Sequence, residues 1–175
     1  MEKETEDLRQ AEPSRRPLDA FDRRILAALV QDGRATYADI GAQVGLSAPA
    51  VHERVKRLRQ SAITAIGARL DGPSCGKSFL AFVHVDADGW GKSERMLRLL
   101  HFPEVEEMHS VAGDTCVIMK VRTANARALE AFLAQLYVLP GVRGTKSYVV
   151  LSSYLERGVQ AEVTARWPDT PVPQE

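Results

Sequence analysis

The sequence predicts an α+β chain in two parts: a helix-turn-helix domain, then a ferredoxin-like β-α-β-β-α-β domain. Three observations predict it. Apolar residues recur at helical spacing as far as Leu58, with Gly45 between the second and third helical stretches. After Asp71 several segments change to a strand-like pattern. Those segments alternate with two helical ones in the order a split βαβ unit requires.

The 175 residues suffice for one ordinary domain or two small ones. The 23 Lys and Arg balance 23 Asp and Glu, so no global field draws the chain to nucleic acid or membranes, and any such attraction must come from local clustering. Cys75 and Cys116 are too few for a disulfide framework, lack metal-ligand spacing and fit a reducing cytoplasm. No apolar run is long enough to span a bilayer, and the N-terminus is charged rather than signal-like.

Residues 1–17 are polar, carry two prolines and read as a disordered tail. The helix-turn-helix domain is assigned to 18–61. Asp19 is the expected N-cap of its first helix, whose apolar face is Phe21, Ile25, Leu26 and Leu29, with Gly33 as the stop. A second helix is expected over Tyr37 to Val44, with Gly41 leaving room for another helix to cross closely. Gly45 then permits a sharp turn, Leu46 points inward, Ser47 caps the third helix, and Pro49 sits in its first turn, where a missing N–H costs nothing. Val51, Val55 and Leu58 form the buried stripe of that helix. The segment 62–76, containing "AITAIGARLD", is expected to be a connecting strand and linker.

The second domain is assigned to 77–155. "FLAFVHVD", "EVEEMHSV", "TCVIMKVRT" and "GVRGTKSYVVLSS" read as its strands, and "SERMLRLLHF" and "ANARALEAFLAQLYVL" as its helices. Both helices should cover one sheet face. Phe79, Val83, Met119 and Val149 are read as apolar side chains on both faces, so a second sheet, most simply another subunit's, should bury the other. Residues 156–175 are read as a second tail, with three prolines in its last ten residues.

The third helix is unusually basic. With its stripe inward, Ala48, His52, Glu53, Lys56 and Arg57 face solvent, and Arg54, Lys56, Arg57 and Arg59 oppose one acid, Glu53. Most charge runs are merely solvated faces. Here the charges follow a glycine turn and a capped N-terminus, where a recognition helix presents its first turns to bases. From Leu18 to Leu70 eight cations oppose five acids, whereas from Asp71 to Leu155 nine oppose nine, so the charge is sorted toward the half expected to bind double-stranded DNA. The expected DNA-binding set is Ser47, Ala48, His52, Glu53, Arg54, Lys56, Arg57 and Arg59, with His52, Glu53 and Lys56 toward base edges and Arg54, Arg57 and Arg59 on phosphates.

No catalytic motif is identifiable, and no cofactor or metal is expected. His52, His84, His101 and His109 lack ligand spacing, and Asp86 and Asp88 read as turn formers. The competing reading is a small-molecule enzyme or sensing module of ferredoxin-like fold whose helix-turn-helix serves only for interaction. A third is a chromosome-organising protein that binds DNA broadly, separable by its ratio of specific to non-specific affinity.

Four stretches, "LDAFDRRILAALVQDGRATYADIGAQVGLSAPAVHERVKRLRQSAI", "GARLD", "VEEMHSVAGDTCVIMKV" and "LPGVRGTKSYVVL", make the chain resemble the Lrp/AsnC, or feast/famine, family of transcriptional regulators. The resemblance covers about Leu18 to Leu155. It implies a winged helix-turn-helix domain joined to an αβ-sandwich regulatory domain that dimerises sheet against sheet, with further assembly into octamers or related rings. It also implies an amino-acid effector held between regulatory domains.

Family position and chemistry together place that effector around Val111, Ala112, Gly113, Asp114 and Cys116, with Thr145 and Ser147. A glycine lets backbone N–H groups approach a carboxylate, Asp114 offsets an ammonium, and the hydroxyls add hydrogen bonds. Gly113 is also what an ordinary hairpin would use. One position departs from the family: its strand turn carries a Gly-Asp-x-Asp run, whereas "GDTC" puts Cys116 where the second carboxylate is expected. The departure implies weak amino-acid binding or a changed ligand.

Overall fold

The computed structural model describes residues 16–88 and 98–163. The tail up to residue 15, the first half of the helix expected over "SERMLRLLHF" and the final proline-rich segment lie outside them; the described half of that helix is a short 3-10 turn, Arg98–His101. The chain divides into two compact units, one up to Ala68 together with the segment from Arg157 onward, the other Arg69–Glu156.

The first unit contains α1 (Ala20–Gln31), α2 (Tyr37–Val44) and α3 (Ala48–Ser61). Each begins at a side-chain cap that satisfies an otherwise orphaned N–H. Asp19 and Asp22 form a reciprocal capping box on α1, Thr36 accepts from the Asp39 N–H, and Ser47 accepts from the Ala50 N–H. Gly45 ends α2 in the left-handed region, φ +76°. Ile25, Ala28, Ile40, Val44, Val51, Val55 and Leu58 form one core, with Leu46 packed against it. One local expectation changes. Gly33 is not a left-handed stop; α1 ends on extended Asp32. At Gly41 the missing side chain leaves room for the Leu46 carbonyl in the turn that follows and for the first residue of α3, whose Ala48 nitrogen would lie 3.6 Å from a Cβ there.

The expected connecting strand over 62–71 forms no ladder. Its residues after Ala62 take no regular secondary structure, and Ile66 and Leu70 are exposed. Strand structure requires a partner for its N–H and C=O groups, and no strand pairs with it among the described residues.

The second unit is a four-stranded antiparallel sheet in the order β2-β3-β1-β4, from β1 (Phe79–Ala87), β2 (Val105–Ser110), β3 (Val117–Thr123) and β4 (Val142–Val149). Helix α4 (Ala126–Tyr137), capped by Asn125, packs Leu129, Phe132 and Leu136 into its core. Ala81, Val83 and Val85 on β1 and Val117, Met119 and Val121 on β3 complete that core. The register corrects the expectation of two apolar faces. Phe79 pairs with Thr123, Val83 with Met119 and Ala81 with Val149, so Phe79, Val83, Met119 and Val149 share the helix-covered face.

The opposite face is mixed. Phe82 and Tyr148 lie opposite each other there, 39% and 52% exposed, and the His84 ring lies tilted against Tyr148, 5.0 Å between centroids. Beside them a register shift between Val105 and Glu107 brings both acids of β2 toward Lys120, whose Nζ lies 3.1 Å from Glu106 and 3.9 Å from Glu107. Glu156, assigned by sequence to the tail, bonds Lys120 at 2.9 Å and Arg122 at 2.7 Å.

Candidate nucleic-acid interface and effector site

Helix α3 buries Val51, Val55 and Leu58 and turns His52, Glu53, Lys56, Arg57 and Arg59 to solvent, as the wheel requires. Ser47 holds the first turn through its cap, and Ala48 is half-buried beside it. Lys56, Arg57 and Arg59 make no ion pair among the described residues, so their charge is free for an external anion. His52 sits over the Tyr37 ring at 5.4 Å and lies 3.5 Å from Glu53, on the surface of α3.

Arg54 departs from the phosphate-contacting set. Its Nη1 donates to Asp19 Oδ2 at 2.7 Å and to Asp22 Oδ1 at 2.6 Å, both at the start of α1. The Arg54 hydrogen bond, with that of the Asp22 N–H, holds the Asp19 carboxyl below its ordinary range, and the two carboxylates raise Arg54 in return. Arg54 is thus paired within its own unit, whereas Lys56, Arg57 and Arg59 make no ion pair among the described residues. Sequence reasoning missed this because the partners lie 35 and 32 residues away.

The residues expected around an effector lie in the turn between β2 and β3, at Cys116 beside it, and on the helix-covered face of β4. Val111, Ala112, Gly113 and Asp114 form the turn between β2 and β3, with Asp114 exposed. The turn is pinned by Val111 N–H to the Cys116 carbonyl at 3.1 Å and by buried Thr115, whose Oγ1 donates to the Val85 carbonyl at 3.0 Å. Gly113 has no positive φ and nothing near its missing side chain, so neither turn nor packing demands glycine there. Cys116 is half-buried and donates its Sγ hydrogen to the Ala87 carbonyl at 3.4 Å. Thr145 and Ser147 pair with Val85 and Val83 and so point to the helix side. Thr145 Oγ1 is 2.9 Å from the Tyr137 hydroxyl. Lys146 projects from the other face, 4.0 Å from Asp114. His109, the histidine closest in sequence to this turn, is on β2 and faces Glu107 at 3.3 Å, at the sheet edge opposite β4. Thr115, Tyr137 and Lys146 had no sequence signal; only register and the helix end bring them here.

Comparison with known proteins adds independent findings. The AsnC-type helix-turn-helix domain matches residues 18–59, and the Lrp/AsnC ligand binding domain matches residues 80–160. The HTH-type transcriptional regulator FL11 of Pyrococcus horikoshii is 36% identical over 141 residues, covering 80% of this chain and 93% of that protein. The leucine response regulatory protein LrpA of Mycobacterium tuberculosis superposes with a TM-score of 0.71 at 33% identity, over 83% of this chain and 100% of that one. A feast or famine regulatory protein from M. tuberculosis, solved with L-methionine, superposes with a TM-score of 0.73 at 34% identity, over 80% and 96%. Helical unit, antiparallel sheet and both domain matches agree, and the chain belongs to the Lrp/AsnC family.

Proposed function

We propose that this chain is a DNA-binding transcriptional regulator that acts as a homo-oligomer in the cytoplasm and responds to an amino acid or a related zwitterion. The observation that carries the DNA-binding part is the outer face of α3, where Lys56, Arg57 and Arg59 stand exposed on a capped helix and make no ion pair among the described residues. Phosphates are attracted by that charge, and a helix of this kind fits the major groove. Kinship with regulators favours this reading over an enzyme. No helix among the described residues is long and apolar enough to cross a membrane.

The proposed dimer contact is the sheet face bearing Phe82 and Tyr148, whose exposed rings a second copy would cover. Octameric assembly rests on the family resemblance. The proposed effector region is the Val111–Asp114 turn with Cys116, Thr145 and Ser147, where an exposed acid, a lysine and hydroxyls lie at one end of the sheet. The relative solved with L-methionine supports an amino acid as the ligand class. Mapping of bound DNA sites across the genome, with and without candidate amino acids, tests the whole reading. Discrete sites that shift with an amino acid are expected; uniform binding everywhere, or none, overturns it.

A further inference from the structure

Arg54 belongs by sequence to a run of DNA-facing cations but by structure to a closed polar cluster. Its side chain is 22% exposed and that of Asp22 only 8%. All four carboxylate oxygens of Asp19 and Asp22 are used. Asp19 Oδ1 accepts from the Asp22 N–H at 2.8 Å, and Asp22 Oδ2 from the Asp19 N–H at 3.4 Å. The remaining oxygen of each takes Arg54. The guanidinium also lies 5.4 Å from the Phe21 ring centre.

Apolar contacts through Val51, Val55 and Leu58 hold α3 to the core, but such contacts have no direction. A small rotation of α3 about its axis would keep them and move every base-facing side chain. Charge-assisted hydrogen bonds do have direction, and the Arg54 Nη1 held between two carboxylates of the α1 capping box resists that rotation. Buried ionic groups often add little net stability, and their best-attested use is to select one arrangement among several.

We propose that Arg54 is a positioning residue for DNA recognition: through Asp19 and Asp22 it locks the rotation of α3 against α1 and so sets which side chains of α3 meet base edges. The proposal rests on the DNA-binding reading above. It carries an unusual consequence. Removing the negative charge of Asp22 should strengthen attraction to a polyanion by simple electrostatics, yet it should weaken recognition.

The test uses the full chain and two duplexes, one enriched from a random-sequence pool by the wild-type protein and one scrambled duplex of equal length. Asp22→Asn, Arg54→Ala, Arg54→Lys and the Asp22→Asn/Arg54→Ala double variant are compared with wild type over a salt series, at a temperature where circular dichroism shows each folded. Asp22→Asn is expected to lower the specific-to-scrambled affinity ratio by about tenfold or more while scrambled binding holds or rises. Arg54→Ala should lower the ratio likewise, the double variant should be no worse than Arg54→Ala, and Arg54→Lys should recover part of it. If Arg54→Ala does not fold, Asp22→Asn and Arg54→Lys carry the test. Unchanged discrimination in Asp22→Asn, with Arg54→Ala or Arg54→Lys altering affinity for both duplexes equally, would make Arg54 a phosphate contact and overturn the proposal. A wild-type chain that enriches no duplex would overturn the DNA-binding reading itself, and the proposal with it.

Discussion

The carbonyl oxygen of Leu46 occupies the space that a side chain at Gly41 would need. The Gly41 carbonyl in turn accepts from the N–H groups of Gly45 and Leu46, at 2.9 and 3.0 Å. The turn that joins the two helices is therefore folded back on the helix it leaves. Gly41→Ala should drive the turn off and cost about 1–3 kcal/mol. Gly45→Ala, at φ +76°, should cost about 1–2 kcal/mol through backbone strain alone. Denaturant titration checks both, and a Gly41→Ala chain as stable as wild type would show that the turn has room.

The Arg57 side chain makes no ion pair among the described residues, so Arg57→Ala should leave stability within about 0.5 kcal/mol. It should weaken specific and scrambled duplexes alike and reduce the slope of log affinity against log salt by about 1. Filter binding over a salt series measures this. An unchanged slope would remove Arg57 from the phosphate contacts.

Hydrogen bonding from Lys120 holds the Glu156 carboxyl below its ordinary value of 4.5, against an opposing effect of burial. Burial pushes Glu106 upward, but the Arg122 and Lys120 bonds outweigh it and hold that carboxyl down too. The folded chain thus binds these protons less readily than the unfolded one. Their stabilisation is fully present above about pH 4.5 and is lost as pH falls through the lowered folded values. Glu156→Gln should flatten the loss of stability below that pH. Thermal denaturation across pH 3–7 reads it, and identical acid limbs would separate Glu156 from the sheet's stability.

Tyr148→Glu and Phe82→Glu place charge at the centre of the proposed dimer contact. Either should shift the chain toward monomer in light scattering at micromolar concentration. A dimer should read a roughly palindromic site with half-sites about 34 Å, or a multiple of it, apart. Unchanged mass in both variants would move the contact to another face.

Calorimetric titration with the common amino acids should show weak binding to wild type. Cys116→Asp should tighten it, because a ligand ammonium could then lie between the new carboxylate and the Ala87 carbonyl that Cys116 now bonds. Tight wild-type binding abolished by Cys116→Asp would show that the thiol belongs to the ligand site. No heat with any amino acid in either chain would leave the turn a hairpin only.

The sequence by itself determined the three N-terminal helices. Asp19, Thr36 and Ser47 cap them, and Gly45 turns the chain, all within a few residues of what they act on. The strands of the second unit were legible for the same local reason, save that the alternation of Phe79, Val83, Met119 and Val149 was assigned to two faces when register puts all four on one. Tertiary structure alone decided partnership. Arg54 and Arg57 are three residues apart on one basic helix, yet the first closes on Asp19 and Asp22 and the second stands in solvent. Thr145 and Ser147 turn away from Lys146 because neighbours on a strand face opposite sides. Local signals act through bonds between near neighbours, whereas a charge or hydroxyl takes its role from groups that only the folded chain brings within a few ångströms.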